Sequence, residues 1–323
     1  MTSRDLIVAI DLGGTNLRVA LMDDHARILD RDYQLTRAED GPERVADRIV
    51  EMARRMLAKQ GVNTPLAVGA ALASPIDLDG VMYRPPNLDH WQVVPFGALL
   101  AKRFGVPIFA QNDATLAALG EYYFGDGKGV DDLIYLTVST GVGGGIVAGG
   151  KLVLGARGLA GELGHILIAR DGARGVCGHV GCLETQVSGK AIVRRAIEAL
   201  ETGRPSALKR YLGNERALET ADVFAIAAEG DAAAREVVDA VARDLGRGIV
   251  SLVHVFNPRR FILGGGVMNN WGALEQVTRA TVAEFAMPGF LDHLTISLTR
   301  FGDDIGLVGA TAYALQRLGR RPA

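Results

Sequence analysis

The chain has 323 residues, 48 % of them apolar and 6 % aromatic, with a formal charge of −2. Near-neutral charge argues against nucleic acid or a membrane surface as partner, and no apolar run reaches the roughly 20 residues of a bilayer span. Two cysteines only, close together, argue against a disulfide framework. An N-terminus that enters a strand with no basic-apolar-small leader leads us to expect a cytoplasmic protein.

Length suits about two domains, with cores built from Ala, Val, Leu and Ile. In chain order, strands are predicted at Leu6–Ile10, Leu17–Met22 and Arg27–Leu35. A helix then starts near Gly41-Pro42, with Val45, Ile49, Met52 and Met56 on one face. Ala67–Leu72 reads as a strand, Phe96–Phe104 as a short helix and Val106–Ala110 as the next strand, leading into a helix over Ala114–Tyr123. The second half begins alike, with strands Leu133–Val138, Gly144–Ala148 and Lys151–Leu154. An insertion holding both cysteines precedes a helix capped by Ser188 and running through Ile192, Ile197 and Leu200. Helices at 221–228 and 232–255, strands at 261–263 and 294–299, and a tail helix over 306–318 follow. The repeated order favours two similar α/β lobes with a cleft between them; one large α/β domain is the alternative.

Two turns nearly free of side chains follow buried strands: Asp11-Leu12-Gly13-Gly14-Thr15 and Ser139-Thr140-Gly141-Val142-Gly143-Gly144-Gly145. Glycine turns let backbone N–H groups approach a phosphate. Two in similar contexts suggest loops gripping one nucleotide: Gly13, Gly14 and Thr15 on one side, Thr140, Gly141, Gly143 and Gly144 on the other. Asp11 suits Mg²⁺, often held through water; it equally suits a turn cap. Gly264-Gly265-Gly266 could let an adenine or ribose lie against backbone, or be a simple tight turn. Asn112-Asp113 ends a strand and opens a helix, so Asp113 reads either as an N-cap or as a general base at a strand end. His165, Cys177 and Cys182 are three zinc-type ligands, one short of a closed site, with His179 a candidate fourth; reduced core thiols are the alternative. Glu162 and Glu184 could accept sugar hydroxyls or sit in solvent, and Asn87 could serve a hydroxyl or the turn after Pro85-Pro86.

With these residues in place the chain resembles the ROK family of sugar kinases, within the hexokinase–actin–chaperone ATPase superfamily. The matching pieces are the two glycine turns, Pro85-Pro86-Asn87-Leu88 with Trp91, Asn112-Asp113, Gly161-Glu162-Leu163-Gly164-His165 and Cys177-Gly178-His179-Val180-Gly181-Cys182-Leu183-Glu184. The resemblance implies a two-lobed actin/hexokinase-like (ribonuclease H-like) fold with a central cleft. The small lobe would be 1–112, completed by about 305–323, and the large lobe 113–304. It implies phosphoryl transfer from MgATP to O6 of a hexose, glucose first, with N-acetylmannosamine, fructose, mannose and allose as rival substrates. A non-catalytic sugar sensor is the remaining alternative, and polyphosphate is the rival donor. Asp113 matches the catalytic base; Asn87, Asn112, Asp113, Glu162, His165 and Glu184 match sugar contacts. Asp11, the glycine-turn residues, Gly265 and Gly266 fall to the nucleotide, and His165, Cys177 and Cys182 to Zn²⁺. Two departures stand out. Gly175 replaces a further family cysteine, and Ser74 replaces the more usual glycine before Pro75, where a Cβ would narrow the sugar pocket. Repressor members carry an N-terminal helix-turn-helix; here the first turn begins about ten residues in, so a kinase is expected, as a homodimer or higher homo-oligomer.

Overall fold

A computed structural model gives the structure of residues 6–88, 90–175, 177–211 and 217–320. The described residues fold as two α/β units: those of 6–135, 145–161 and 299–320 form one, and those of 136–144 with 162–298 the other. The first half contains strands β1 (Ile7–Leu12), β2 (Asn16–Met22) and β3 (Ile28–Leu35), helix α1 (Pro42–Lys59) and strand β4 (Ala67–Leu72). It continues with the short β5 (Met82–Tyr83) and β6 (Val93–Val94), α2 (Phe96–Phe104), β7 (Ile108–Asn112) and α3 (Asp113–Phe124). The second half holds β8 (Leu133–Val138), β9 (Val142–Ala148), β10 (Lys151–Leu152), α4 (Leu183–Val187), α5 (Gly189–Glu201), α6 (Thr220–Ala228) and α7 (Ala232–Phe256). Then come β11 (Arg260–Gly264), α8 (Trp271–Phe285), β12 (Thr295–Leu298) and α9 (Ile305–Arg317).

The sheets share one plan. The first is ordered β3-β2-β1-β4-β7 and the second β10-β9-β8-β11-β12, so the repeated element order read from sequence is a repeated topology. In the first, β1 pairs antiparallel with β2 and parallel with β4, and β4 pairs parallel with β7. Alternation along β1 divides the core. Val8, Ile10 and Leu12 pack on the α1 side with Ile49, Met52 and Met56. Ile7 and Ala9 pack on the other side with Leu307, Ala310 and Tyr313 of α9.

Helix α3 belongs to the first unit, beyond the 112/113 boundary expected from sequence. The reason is close helix packing: a Cβ at Gly309 would lie 2.1 Å from the Leu116 carbonyl, and one at Gly69 would lie 2.0 Å from that of Ala310. Small residues there let α9 settle against α3 and β4 at backbone distance. Helix α8 is absent from the sequence reading. Its buried face mixes Leu274 and Val282 with Thr278 and Thr281, and two threonines blur the apolar period that would have marked it.

Candidate active site

Parallel pairing sets the first unit's polar residues on one edge. Asp11 is in register with Ala71, and Ala71 with Gln111; Asn112 and Asp113 follow at once. This is the carboxyl end of the parallel strands, where α/β folds gather ligands. The Asp11 side chain is 14 % exposed and meets Arg18 Nη1 at 3.1 Å, while Arg18 Nη2 reaches Asp303 at 3.2 Å. Burial, reinforced by Asp113 and opposed by Arg18, raises the Asp11 carboxyl to about 7. Burial also raises Asp113, against a hydrogen bond from the Ala114 N–H. Two carboxyls enclosed within reach of each other's field make a place that favours added positive charge.

The capping question is settled by geometry. Asn112 is the N-cap of α3, its Oδ1 accepting from the Thr115 N–H at 3.0 Å. Asp113 is the first helical residue, and its Oδ1 accepts from the Ala114 N–H at 2.8 Å. The bland role thus falls on Asn112 and leaves Asp113 without it. The Asn112 amide also points Nδ2 at the Ser74 carbonyl, 3.4 Å away; Ser74 itself is buried, its Oγ donating to the Pro75 carbonyl at 2.9 Å.

The first glycine turn is closed by the Gly13 N–H on the Asn16 carbonyl at 2.9 Å. Thr36 braces it, donating its N–H to the Thr15 carbonyl at 2.8 Å and its Oγ1–H to that of Gly13 at 2.7 Å. A Cβ at Gly14 would sit 2.5 Å from the Asn87 carbonyl. The structure therefore seats exposed Asn87 directly on this turn.

In the second unit the Ser139 N–H donates to the Gly141 carbonyl at 2.8 Å, and the Gly189 N–H at the start of α5 donates to Ser139, also at 2.8 Å. The Glu184 carboxylate caps the same turn: Oε2 accepts from the Val142 N–H at 3.0 Å, and a Cβ at Gly141 would come within 2.6 Å of it. Gly144 is buried against Leu163, and Gly164 lies on the Val142 carbonyl. Glu184 and the Leu163-Gly164 pair between Glu162 and His165 thereby pack on the turn.

A cavity of about 1130 Å³ opens beside the turn, its wall including Ser139, Thr140, Gly189, Val193, Ile197 and Gly266. Of the residues predicted for a nucleotide, Thr140 and Gly266 line it; Gly265 lies behind, at φ +87° and against the Val138 carbonyl. The α5 residues were missed. Ile192 and Leu200 are buried, but Ile197 is 39 % exposed and lines the cavity, so one helical period carries both a packed and an open apolar position. Ser188-Gly189-Lys190 opening that helix was the signal available.

The ligand atoms of His165, Cys177 and Cys182 all lie within 4.8 Å of one another, with the two sulfurs 3.3 Å apart. His179 falls outside this group among the described residues. His165 Nδ1 is buried with no hydrogen-bond partner, while its Nε2 is 3.8 Å from the Glu162 carboxylate. A ligating histidine usually shows this division, one nitrogen for the metal and the other facing a carboxylate. Burial, then the neighbouring Cys177 sulfur, raises the Cys182 thiol to about 11, a penalty that a cation among the three ligands would reverse. A cysteine–histidine donor set of this kind fits Zn²⁺.

A model of the ROK family matches residues 7–317. The chain is 33 % identical over 314 residues to a glucokinase of Thermotoga maritima, covering 97 % of this chain and 98 % of the relative. A solved ROK hexokinase from Thermus thermophilus aligns with TM-score 0.81 and 34 % identity, covering 97 % of this chain and 99 % of that one. A ROK glucokinase from Streptomyces griseus, solved in complex with glucose and AMPPNP, aligns with TM-score 0.78 and 33 % identity over 97 % of this chain and all of that one. The motifs, the doubled sheet plan that carries them and this end-to-end likeness agree: the chain belongs to the ROK family.

Proposed function

We propose that the protein is an ATP-dependent hexose kinase, transferring the γ-phosphoryl group of MgATP to O6 of glucose. The observation that carries this reading is Asp113, released from capping by Asn112 and held by burial above the usual carboxylate range. Burial makes the Asp113 carboxylate a readier proton acceptor than a solvated one, so it can take the O6 proton as the phosphoryl group is transferred. In this reading Asp113, Asn112, Asn87, Glu162, His165 and Glu184 serve the sugar, Asp11, Gly13, Gly14 and Thr15 serve metal and phosphate, and Thr140, Gly141, Gly143, Gly144, Gly265 and Gly266 serve the nucleotide. Glu184 spends one oxygen on the Val142 N–H, leaving the other to accept from a hydroxyl. Mg²⁺, when bound at Asp11, neutralises charge on the transferring phosphates.

Zn²⁺ held by His165, Cys177 and Cys182 would fix His165 and Glu162 beside the sugar. Only two cysteines in the chain suit the cytoplasm, and a homodimer is the family expectation. Among the described residues no helix is long and apolar enough to cross a membrane.

The test is a hexose panel assayed with MgATP and coupled ADP detection. Glucose is expected to give the highest kcat/KM. Asp113→Asn should lower kcat by about 10²- to 10⁴-fold with glucose binding retained. Unchanged turnover in that variant would remove Asp113 from its role, and faster phosphorylation of N-acetylmannosamine would reassign the substrate.

A further inference from the structure

The second unit's cavity differs from one end to the other. Helix α5 forms one wall and starts at the glycine turn, where the Gly189 N–H donates to Ser139. Lys190, Arg194 and Ile197 reach the cavity on successive turns. At the α-helical rise, Lys190 and Ile197 stand about 10 Å apart along the axis, a span comparable to that from a nucleotide's base to its phosphates.

The two cations are not equivalent. Arg194 is committed, with Nη1 on Glu198 Oε1 at 2.7 Å and Nη2 on the Thr185 carbonyl at 2.8 Å. Lys190 is exposed and, among the described residues, has neither ion pair nor hydrogen bond. Its ammonium is a compact charge with three donors, one residue from the contact that joins α5 to the turn. At the other end, Val193 and the 39 % exposed Ile197 offer an apolar ledge. Glu198 and Glu201 line the cavity beside it, and carboxylates repel phosphate. The cavity-lining residues of α5 therefore begin with a cation at Lys190 and end with carboxylates at Glu198 and Glu201.

We propose that Lys190 anchors the phosphate chain of the nucleotide, which lies along α5 with its base on Val193 and Ile197. This rests on the kinase reading above and assigns a specificity role to a residue outside the glycine motifs. Calorimetric titration of wild type and Lys190→Met with adenosine, AMP, ADP and AMPPNP tests it. Kd for ADP and AMPPNP should rise about tenfold in Lys190→Met, the loss expected of a charge-assisted contact, with adenosine unchanged. Lys190→Arg should recover most of the affinity, and KM for ATP should rise in Lys190→Met while KM for glucose holds. Ile197→Asp should weaken adenosine and ADP alike. Unaltered ADP affinity in Lys190→Met, or adenosine falling as far as ADP, overturns the proposal. A wild-type protein that binds no ADP and phosphorylates no hexose sinks the kinase reading instead.

Discussion

Asp11 is held at a cost that can be measured. Burial and Asp113 lift its carboxyl from 3.8 to about 7 despite Arg18 at 3.1 Å. Between those values the folded chain keeps a proton that the unfolded chain has already released. Stability contributed by this group therefore falls as pH rises through that window and levels off above pH about 7. Over the whole window the loss is on the order of 4 kcal/mol, at ~1.4 kcal/mol per pKa unit. Asp11→Asn carries no such charge, so it should abolish turnover and yet stabilise the fold near neutral pH. From about pH 5 to about pH 8 the advantage of Asp11→Asn over wild type should widen by about 3 kcal/mol.

The assay is urea unfolding in metal-free buffer at several pH values. Buried Trp91, whose indole N–H donates to the Ala38 carbonyl at 3.0 Å, reports the first unit once Trp271 is replaced by Phe in both proteins. Added Mg²⁺ should narrow the gap, because a divalent cation favours the ionised carboxyl. A stability difference that stays flat, or shrinks as pH rises, would refute the argument that burial dominates at Asp11.

The knuckle should hold close to one zinc per chain by elemental analysis, with Cys177→Ser below half of that; under about half a mole in wild type would mean an empty site. Gly175→Cys should slow zinc extraction by chelators, since a Cβ there would lie 3.4 Å from Cys177 Sγ; an unchanged extraction rate would mean the new thiol does not ligate. Inorganic polyphosphate should support less than about one hundredth of the ATP rate, because like charges facing each other cost several kcal/mol. Glu198, Glu201 and Glu219 outnumber Lys190 and Arg194 in the cavity, and comparable rates with both donors would show that this balance does not govern choice.

Most of the fold was legible because its strands are short apolar runs ended by turn residues, and α1 has one clean apolar face. What escaped depended on tertiary packing. Helix α8 buries threonines, which carry no apolar period. The seating of α3 on α9 rests on Gly309 and Gly69, whose small size gives no signal of its own until the partner backbone is in view. Ile197 looked like a core residue because sequence period cannot distinguish a packed wall from the wall of a cavity.

The site motifs were readable as separate pieces, and for the two glycine turns the structure explains why Gly14 and Gly141 carry no side chain. Gly14 is flat against the Cβ and carbonyl of Asn87, so the first turn and the Pro85-Pro86-Asn87 loop can meet only if the turn brings no Cβ of its own between them. Gly141 lies under the Glu184 carboxylate in the same way, which turns a phosphate-type loop and a sugar-type acid into one rigid piece of the second unit. A side chain at either glycine would therefore do more than remove an N–H contact. It would push a proposed sugar ligand away from the turn, so Gly141→Ala should weaken glucose and ATP together, whereas a glycine serving phosphate alone would weaken only ATP. Separate titrations of the two ligands against that variant decide between these roles, and an effect confined to ATP would uncouple Glu184 from the turn.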